Sequence, residues 1–365
     1  MSGGDSMRLQ AIEARAYRIP TETAESDGTL CWDSETLVVV NVSAGGITGM
    51  GYGYSDASAA ALIGQRLAPC LVGRNAFAVE ACWQAMAASV RNLGRSGLCA
   101  QAIATVDIAL WDLKARLLGV SLARLLGVVR DAVPAYGSGG FTSMNLMQLR
   151  EQAKAWSEAG FGRIKIKIGR DPAGDVARVS AARQAAGPKT ELYVDANGAY
   201  RVAQAIGLAH QFADYDVSWL EEPVSSDDIA GLRQVRRHAP PGMAVSAGEY
   251  AFTVDDFRRL LQRGAVDVLQ ADASRCGVTG WLQAAALCEA FHTPLSSHCV
   301  PALHATLCCV AQPAIHVEVF HDHARIEHTL FDGVPPLRDG CLRPWQDAPG
   351  FGLTFKERDA QCYLV

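Results

Sequence analysis

Short apolar runs separated by helical patterns repeat through the second half of the chain. Seven of them have the alternating or β-branched character of buried strands: RIKIKIG, ELYVDAN, VSWLEEP, AVSAGEY, VDVLQAD, PLSSH and IHVEVF. An eighth run, AYGSGG, precedes them and predicts the first strand. Helical patterns lie at 144–159, 173–186, 201–213, 227–238 and 254–263, with Ser226 and Thr253 as predicted N-caps. This alternation predicts an α/β fold, a (β/α)8-type TIM barrel over residues 131–330.

The first 130 residues follow a different pattern. Two strand-like segments, RLQAIEARAYRIP and ETLVVVNVSAGGITGMGYGY, predict a small antiparallel sheet. The polar segment between them, TETAESDGTLCWDS, predicts a loop that carries Trp32. Helical patterns follow near residues 57–70, 76–94 and 98–118. We therefore expect an N-terminal α+β capping domain over residues 1–130, in which residues 1–6 have the composition of a flexible leader.

The end of the chain is rich in Gly and Pro, in the segment FDGVPPLRDGCLRPWQDAPGFGL. This composition excludes another barrel unit. A barrel alone takes about 250 residues, so the 365 residues of this chain leave room for an appendage. We expect residues 331–365 to return to the capping domain and pack on it.

Composition narrows the class of partner. Hydrophobic residues make up 49% of the chain and charged residues only 19%, which indicates a large buried core. The net charge of −5 and the lack of a Lys/Arg-rich run argue against nucleic acid and anionic membranes as partners. No apolar run approaches the length of a membrane span. We expect a small-molecule partner.

The eleven cysteines are scattered and form no CxxC pair. This usage is typical of the reducing cytoplasm, where most cysteines are small buried hydrophobes. The adjacent Cys308 and Cys309 lie in an apolar helical pattern, so we interpret them as core residues rather than metal ligands. We predict a cytoplasmic protein.

Seven ionisable residues end the strand-like runs, at intervals of 20 to 28 residues: Lys167, Asp195, Glu221, Glu249, Asp272, His298 and Glu318. The carboxyl ends of barrel strands meet at one mouth, which is where the active sites of such barrels lie. The regular spacing therefore predicts an active site. Five further histidines fall outside the pattern and are interpreted as surface or packing residues: His304, His316, His321, His323 and His328.

Three of these residues, Asp195, Glu221 and Glu249, are carboxylates from consecutive strands. Carboxylates this close would repel one another and become protonated unless a cation lay between them. An all-oxygen ligand set favours a hard divalent ion, and Mg²⁺ also keeps positions open for substrate. The alternative is that each carboxylate merely pairs with a basic neighbour. That explanation is weak for three carboxylates at equivalent ends of consecutive strands.

Bases and an acid flank the predicted metal. Lys165 and Lys167 point to the same side of one strand, so we expect two adjacent ammonium groups to depress each other's pKa. Asp272 is predicted to orient His298 through a hydrogen bond. Glu318, if protonated, could stabilise charge that develops on a substrate oxygen. Together these groups suit proton abstraction α to a carboxylate.

The same residues resemble the enolase superfamily, and within it the mandelate racemase subgroup. The matching motifs are the KxK of Lys165 and Lys167, the DxN of Asp195 and Asn197, the EEP that begins at Glu221, and the GE that ends at Glu249. Asp272, His298, Glu318 and the segment VDIALWDLKARLLGVSLARLLG at 106–127 complete the likeness. It spans nearly the whole chain. Lys or His bases that work together with Mg²⁺ are a known feature of enolase-superfamily sites.

The resemblance implies a role for each residue. Asp195, Glu221 and Glu249 would bind Mg²⁺, and Lys167 and the His298–Asp272 pair would be the two acid/base groups. Lys165 would tune Lys167 and contact the substrate carboxylate, while Asn197 and Glu318 would lie beside the substrate, Glu318 as the acid. The segments 20–33 and 51–57 would close over it as lids. A homo-oligomer, often an octamer, is also implied.

The reaction stays open at this point. Dehydration of an acid sugar is our first expectation, because acid-sugar dehydratases dominate the subgroup that the resemblance indicates. Racemisation or epimerisation of a 2-hydroxy acid is second, and cycloisomerisation of a sugar lactone is third. A hypothesis of another class is a non-catalytic barrel that binds a metal or ligand, which would predict a missing base.

Overall fold

The N-terminal part is built on a three-stranded antiparallel sheet. The computed structural model describes residues 7–365, so the predicted leader at 1–6 lies outside the described residues. The strands run in the order β1 (Ala11–Ser26), β2 (Cys31–Ala44) and β3 (Ile47–Tyr54). The prediction of a loop between the first two strands is wrong for most of the segment, because most of its residues belong to β1 and β2. Glu25 pairs with Trp32 and Ser26 with Cys31 beyond a shift of register, so only residues 27–30 turn.

The polar residues of this segment pair as a hairpin because its backbone bonds are satisfied across the two strands, whatever the polarity of the side chains. We call residues 21–34 the cap hairpin. It continues the sheet beyond its apolar part and projects towards the barrel.

Helices cover one face of the sheet. They are α1 (Ser58–Leu62), a π-helical turn (Ile63–Leu67), α2 (Ala68–Leu71), α3 (Val79–Ser89), α4 (Leu98–Leu117) and α5 (Leu122–Leu126). α4 crosses β3 at very short range, since a Cβ on Gly51 would lie 2.4 Å from the Thr105 carbonyl oxygen. Only glycine leaves room for this approach of helix and strand.

The next part of the chain is a closed barrel of eight parallel strands. They are β4 (Val133–Gly139), β5 (Arg163–Lys167), β6 (Glu191–Asp195), β7 (Val217–Glu221), β8 (Ala244–Ala247), β9 (Val268–Ala271), β10 (Leu295–Ser297) and β11 (Ala314–Phe320). Each strand pairs with the next, and β11 pairs with β4 to close the ring. The predicted (β/α)8 barrel with an N-terminal cap is confirmed.

One helix follows each barrel strand. They are α6 (Leu146–Glu158), α7 (Asp175–Ala186), α8 (Val202–Ala213), α9 (Ile229–His238), α10 (Val254–Gln262), α11 (Ala273–Ala290), α12 (Pro301–Val310) and α13 (His321–Leu330). Thr253 caps α10 as predicted, with Asp256 completing a capping box. The cap predicted at Ser226 is wrong, because Asp228 accepts the Gly231 N–H and begins α9.

Aromatic side chains fill the barrel below its mouth. Tyr193 stacks on Trp219 with ring centroids 5.1 Å apart, and His316 packs against both rings. Burial lowers the pKa of His316 to about 3, so this histidine is a neutral packing residue, as predicted. Lys165 Nζ lies 5.5 Å from the Tyr136 ring centroid, so the aromatic rings form the floor of the site above.

The last segment makes contact with the N-terminal part. It contains β12 (Phe331–Asp332), β13 (Cys341–Leu342), β14 (Thr354–Phe355), α14 (Glu357–Ala360) and a 3₁₀ turn (Gln361–Tyr363). The Val365 N–H donates to the Ala16 carbonyl at 3.0 Å. Buried Asp112 of α4 accepts the backbone N–H groups of Met50 at 2.9 Å and Phe351 at 2.8 Å, and so ties sheet, helix and tail together.

The cap also binds the barrel through α4 and α11. Asp107 of α4 accepts both the backbone N–H (2.8 Å) and the hydroxyl (2.7 Å) of Thr279, and Trp111 Nε1 donates to the same hydroxyl at 3.0 Å. Cys308 and Cys309 are both buried in the core, as predicted. Between residues 7 and 365, no helix has the length and apolar character needed to cross a membrane.

Candidate active site

The cap hairpin and the end of β3 lie over the carboxyl ends of the barrel strands. The Thr142 N–H, just beyond β4, donates to the Ser26 carbonyl at 2.7 Å, and the two hydroxyls of these residues lie 2.6 Å apart. A cavity of about 440 Å³ lies between cap and barrel. It is lined from below by strand-end residues that include Lys167, Glu249 and His298.

The seven residues predicted from the strand ends come together at this mouth. Lys167, Asp195 and Glu221 are the last residues of their strands, and the others lie within two residues of a strand end: Glu249, Asp272, His298 and Glu318. All seven are buried. The carboxylate oxygens of Asp195, Glu221 and Glu249 lie within 4.8 Å of one another.

Two lysines compensate the charge of these carboxylates. Lys165 Nζ lies 2.6 Å from Glu221 Oε1, 2.8 Å from Glu318 Oε1 and 3.7 Å from Asp195 Oδ2. Lys167 Nζ lies 2.5 Å from Asp195 Oδ2. The expected depression of the lysine pKa values is wrong for this arrangement. Burial acts to lower the pKa of Lys167, but the carboxylates of Asp195, Glu249 and Glu221 together outweigh burial and raise it. Each ammonium therefore responds more to the carboxylates than to its neighbour.

Glu318 lies inside β11 rather than at its end. Its Oε2 accepts the Cys299 N–H at 2.7 Å, while Oε1 faces Lys165. Burial acts to raise the pKa of Glu318, but the positive charges of Lys165, His298 and Lys167 together outweigh burial and hold the pKa below the usual range. The expectation of a protonated Glu318 is therefore not met, because the lysine stabilises the ionised form.

Asp272 and His298 form the predicted pair. His298 Nδ1 lies 2.8 Å from Asp272 Oδ2, and Asp272 Oδ1 accepts the N–H (2.7 Å) and hydroxyl (2.6 Å) of Ser274. Burial acts to lower the pKa of His298, but Glu249 and Asp272 oppose it and raise the value. An Nδ1–H that donates to Asp272 leaves Nε2 as the basic atom, 3.3 Å from Glu249 Oε2.

The backbone is strained directly after several of these residues. Asn197, Glu222, Cys299 and Val300 have φ values of 45°, 36°, 54° and 36°, the left-handed region that non-glycine residues rarely adopt. His304 Nδ1, 2.7 Å from the Cys299 carbonyl, helps to hold the bend after His298. Such strain persists where surrounding contacts fix it, and it is concentrated at functional sites.

Comparison with known proteins identifies the family. Residues 11–127 match the mandelate racemase / muconate lactonizing enzyme N-terminal domain, and residues 148–360 match the enolase C-terminal domain-like family. This chain belongs to the mandelate racemase/muconate lactonizing enzyme family. It is thus an enzyme of the enolase superfamily, in the mandelate racemase-like subgroup.

Two characterised relatives cover nearly the whole chain. A 3,6-anhydro-alpha-L-galactonate cycloisomerase from Streptomyces coelicolor is 34% identical over 95% of this chain and 96% of that protein. An L-talarate/galactarate dehydratase from Salmonella typhimurium is 32% identical over 96% of this chain and 90% of that protein.

Two solved structures are similar throughout. A mandelate racemase/muconate lactonizing enzyme-like protein from Rubrobacter xylanophilus is 48% identical, with a TM-score of 0.96 over 98% of this chain and all of that one. A racemase from Streptomyces coelicolor, crystallised with bound magnesium, is 32% identical, with a TM-score of 0.92 over 98% of this chain and 100% of that one.

The cofactor of this superfamily member is Mg²⁺, which its structural neighbours carry. The donor set fits that ion. Asp195, Glu221 and Glu249 offer only oxygen, and Glu249 Oε2 accepts no hydrogen bond within the described residues. Burial and the nearby Asp195 carboxylate raise the pKa of Glu221 to about 7, so a bound cation would favour its ionised form.

Several residues of this family member's cavity could not be predicted from the strand-end pattern. Arg275 Nη1 donates to the Glu249 carbonyl at 2.9 Å, and the guanidinium stacks 4.6 Å from the Tyr250 ring centroid. The position of Arg275 three residues after Asp272, on the first turn of α11, could have indicated it. Glu35 lies on the cap side of the cavity, where its polar neighbourhood gave no signal.

His323 also lines this cavity, although it was assigned with four others to surface or packing. Its ring stacks on Tyr54, with centroids 3.4 Å apart and planes 5° from parallel. Burial lowers the pKa of His323 to about 3, so it faces the cavity as a neutral ring. His316 and His304 are buried packing residues, in agreement with the prediction.

Proposed function

We propose that this enolase-superfamily enzyme abstracts the proton α to the carboxylate of an acid sugar and then eliminates the β-hydroxyl, as a dehydratase. The presence of two bases on different sides of one carboxylate trio supports the proposal most strongly. Lys167 lies 2.5 Å from Asp195 on one side, and His298 lies 3.3 Å from Glu249 on the other. A substrate that lies above the trio would have a proton acceptor within reach of either face.

We assign the following roles. Mg²⁺, held by Asp195, Glu221 and Glu249, would supply positive charge beside the substrate carboxylate. Lys165 would contact a carboxylate oxygen of the substrate, a role that the family resemblance implies, while its ammonium stays 2.6 Å from Glu221 and 2.8 Å from Glu318. Since Glu318 is ionised by this contact, its part would be to fix the position of Lys165.

The proton movements fall to two residues. Either Lys167 or His298 would take the α-proton in its neutral form, since Mg²⁺ held by Asp195 and Glu249 would offset the carboxylate charge that raises both pKa values. His298 as an imidazolium would donate a proton to the departing β-hydroxyl, so that water leaves. Asp272 would hold the ring and stabilise its charged form across 2.8 Å. Asn197 Oδ1, which has no partner within the described residues, would accept from a substrate hydroxyl.

Cycloisomerisation is the second candidate function, because the relative at 34% identity is a cycloisomerase. In that reaction one base would take the α-proton, and another group would protonate a different atom of the substrate. No water would be lost. Racemisation or epimerisation would use both bases in turn, one on each face of the α-carbon.

Proton exchange in deuterated water tests the proposal. The Mg²⁺-loaded enzyme should exchange the α-proton of at least one acid sugar and release a 2-keto-3-deoxy acid. Lys167→Ala and His298→Asn should each lose turnover, and a racemase would lose it equally in both. Full activity in both variants contradicts the mechanism. Mg²⁺ binding without exchange on any carboxylate would favour a non-catalytic binding barrel instead.

We further propose a cytoplasmic location and a homo-oligomer, up to an octamer. The scattered free cysteines support the first, and the family resemblance supports the second. Light scattering of the purified enzyme would measure its assembly, and a monomer at micromolar concentration would contradict the second proposal.

A further inference from the structure

The cap side of the cavity carries negative charge. Nine cap residues line it, and among these the ionisable side chains that bear charge are Asp27, Glu35 and Asp56. Within the described residues, the cap adds no lysine or arginine to this lining. A ligand group that reaches the cap therefore meets carboxylates rather than cations.

The cations of the lining lie on the barrel side and have partners already. Lys167 contacts Asp195, and Arg275 lies 3.5 Å from Glu249 Oε1 and 3.7 Å from Asp272 Oδ2. Both therefore belong to the reacting end of the cavity. The charges of Arg275 and Arg325 both act on Glu35. Arg275 acts from the barrel side, where Glu249 and Asp272 are its partners, and Arg325 donates to Asp322 at 3.0 Å and does not line the cavity.

The cap side also presents a hydroxyl with unused hydrogen-bonding capacity. Tyr54 lines the cavity and is only 8% exposed, yet its hydroxyl has no hydrogen-bond partner within the described residues. Stacking on His323 fixes the direction of its ring. Burial raises the pKa of Tyr54, so the hydroxyl stays protonated and can both donate and accept. A buried hydroxyl without a partner is costly, and a ligand hydroxyl would remove that cost.

We propose that this cavity selects sugar acids with one carboxylate over those with two, because Glu35 disfavours a second carboxylate at the cap and Tyr54 binds a distal hydroxyl there. The inference rests on the proposed function, whose substrate class it narrows. A second carboxylate would lose its water without gaining a cation, which is strongly unfavourable, whereas a hydroxymethyl end loses little.

Two acids that differ only at the far end provide the test. Gluconate and glucarate share the same carbon chain, as do galactonate and galactarate, so each pair isolates the terminal carboxylate. Burial and Asp322 raise the pKa of Glu35 to about 7, so the assay belongs near pH 8, where Glu35 is mainly ionised. We expect kcat/KM for α-proton exchange to be at least about tenfold higher for a monoacid than for its diacid.

Three variants test the named residues. Glu35→Arg should lower the preference for the monoacid or invert it, and Glu35→Gln should reduce it. Tyr54→Phe should raise KM for the monoacid by about tenfold or more with a smaller change in kcat, since it removes one ground-state hydrogen bond. Glu22→Gln is the matched control, because Glu22 is an exposed residue of the same hairpin with its side chain 62% exposed.

Binding separates this inference from the proposed function. The Lys167→Ala variant, which lacks one base, should still bind the preferred monoacid in the presence of Mg²⁺, as measured by calorimetry. Exchange that is faster on diacids overturns the inference and leaves the proposed function standing. Tighter or equal binding of the diacid, or no binding of either acid, also overturns the inference. Absence of exchange on every acid while the monoacid binds overturns the proposed function alone.

Discussion

Gly28 of the cap hairpin lies so close to Ala196 of the barrel that a Cβ on Gly28 would stand 2.3 Å from the Ala196 carbonyl oxygen. The Ile168 carbonyl oxygen would lie 2.8 Å away from the same Cβ. Both obstacles are backbone atoms next to the carboxyl ends of β5 and β6, so neither can swing aside as a flexible side chain would. The closeness of hairpin and barrel mouth therefore depends on a residue without a side chain.

Gly28→Ala should lift the hairpin from the mouth. We expect KM for the acid substrate to rise by about tenfold, which corresponds to about 1.4 kcal/mol of binding free energy. The free energy of unfolding should fall by about 1–3 kcal/mol, as for other overpacked positions. Steady-state kinetics and urea unfolding measure the two effects. Gly207→Ala in α8, where a Cβ meets nothing within 4 Å, is the control and should leave KM unchanged.

An unchanged KM in Gly28→Ala would mean that the hairpin does not need its present position for substrate binding. The steady-state kinetics of Gly28→Ala also show whether displacement of the hairpin lowers kcat. A lower kcat would indicate that closure of the hairpin positions the reacting groups.

The strand ends were predictable because a barrel repeats one strand and one helix at a nearly constant interval, so Asp195, Glu221 and Glu249 could be aligned by spacing alone. The cap hairpin could not be predicted in this way, because its strands are polar and pair through the backbone. Arg275 lies outside the strand-end pattern, and only its place three residues after Asp272, on the first turn of α11, could have indicated it. The lysine pKa values depend on how many carboxylates surround each ammonium, which only the three-dimensional arrangement reveals. The division of the chain at residues 130 and 330 stays a prediction.

Asp272→Asn should keep the shape of the site but lose the charge that supports His298. An amide can still accept from Ser274, but it stabilises an imidazolium far less than a carboxylate does. We expect α-proton exchange that depends on His298 to fall by about 10²- to 10⁴-fold, the usual contribution of general acid–base catalysis. Deuterium exchange followed by NMR measures the rate. Asp214→Asn, at an exposed helix end, is the matched control. A rate within twofold of the wild type would show that the pair is not needed.

Glu221→Gln and Glu249→Gln should weaken Mg²⁺ binding, because each removes one charged oxygen from the trio. Calorimetric titration of the purified variants measures the dissociation constant, which we expect to increase by about 10- to 100-fold. The surface residue Glu158, which lies 3.7 Å from Lys154, provides the matched Glu→Gln control. Unchanged affinity in both site variants would remove these residues from the metal site.

The Glu25 carboxyl of the cap hairpin and the Asp322 carboxyl of α13 share a buried contact. Burial and Asp322 raise the pKa of Glu25 to about 10, so near neutral pH Glu25 keeps its proton. Trp32 Nε1 donates to Glu25 Oε2 at 3.0 Å, and Arg325 Nη2 donates to Asp322 Oδ1 at 3.0 Å. A protonated Glu25 can therefore accept from Trp32 and donate to Asp322, and these bonds join the cap to the barrel.

This contact predicts a specific dependence of stability on pH. In the unfolded chain Glu25 ionises near its usual pKa of 4.5, whereas in the folded chain it does so near 10. The folded state therefore binds more protons between these values, and the contribution of Glu25 to stability is full below about pH 4.5 and is lost as pH rises towards 10.

Glu25→Gln cannot ionise, and its amide can make both hydrogen bonds. Urea unfolding should find the variant more stable than the wild type at about pH 9, with a smaller advantage at about pH 6. Glu13→Gln, at an exposed position of β1, is the control and should follow the wild type at both values. A constant difference between Glu25→Gln and wild type across this range would mean that Glu25 is already ionised at neutral pH.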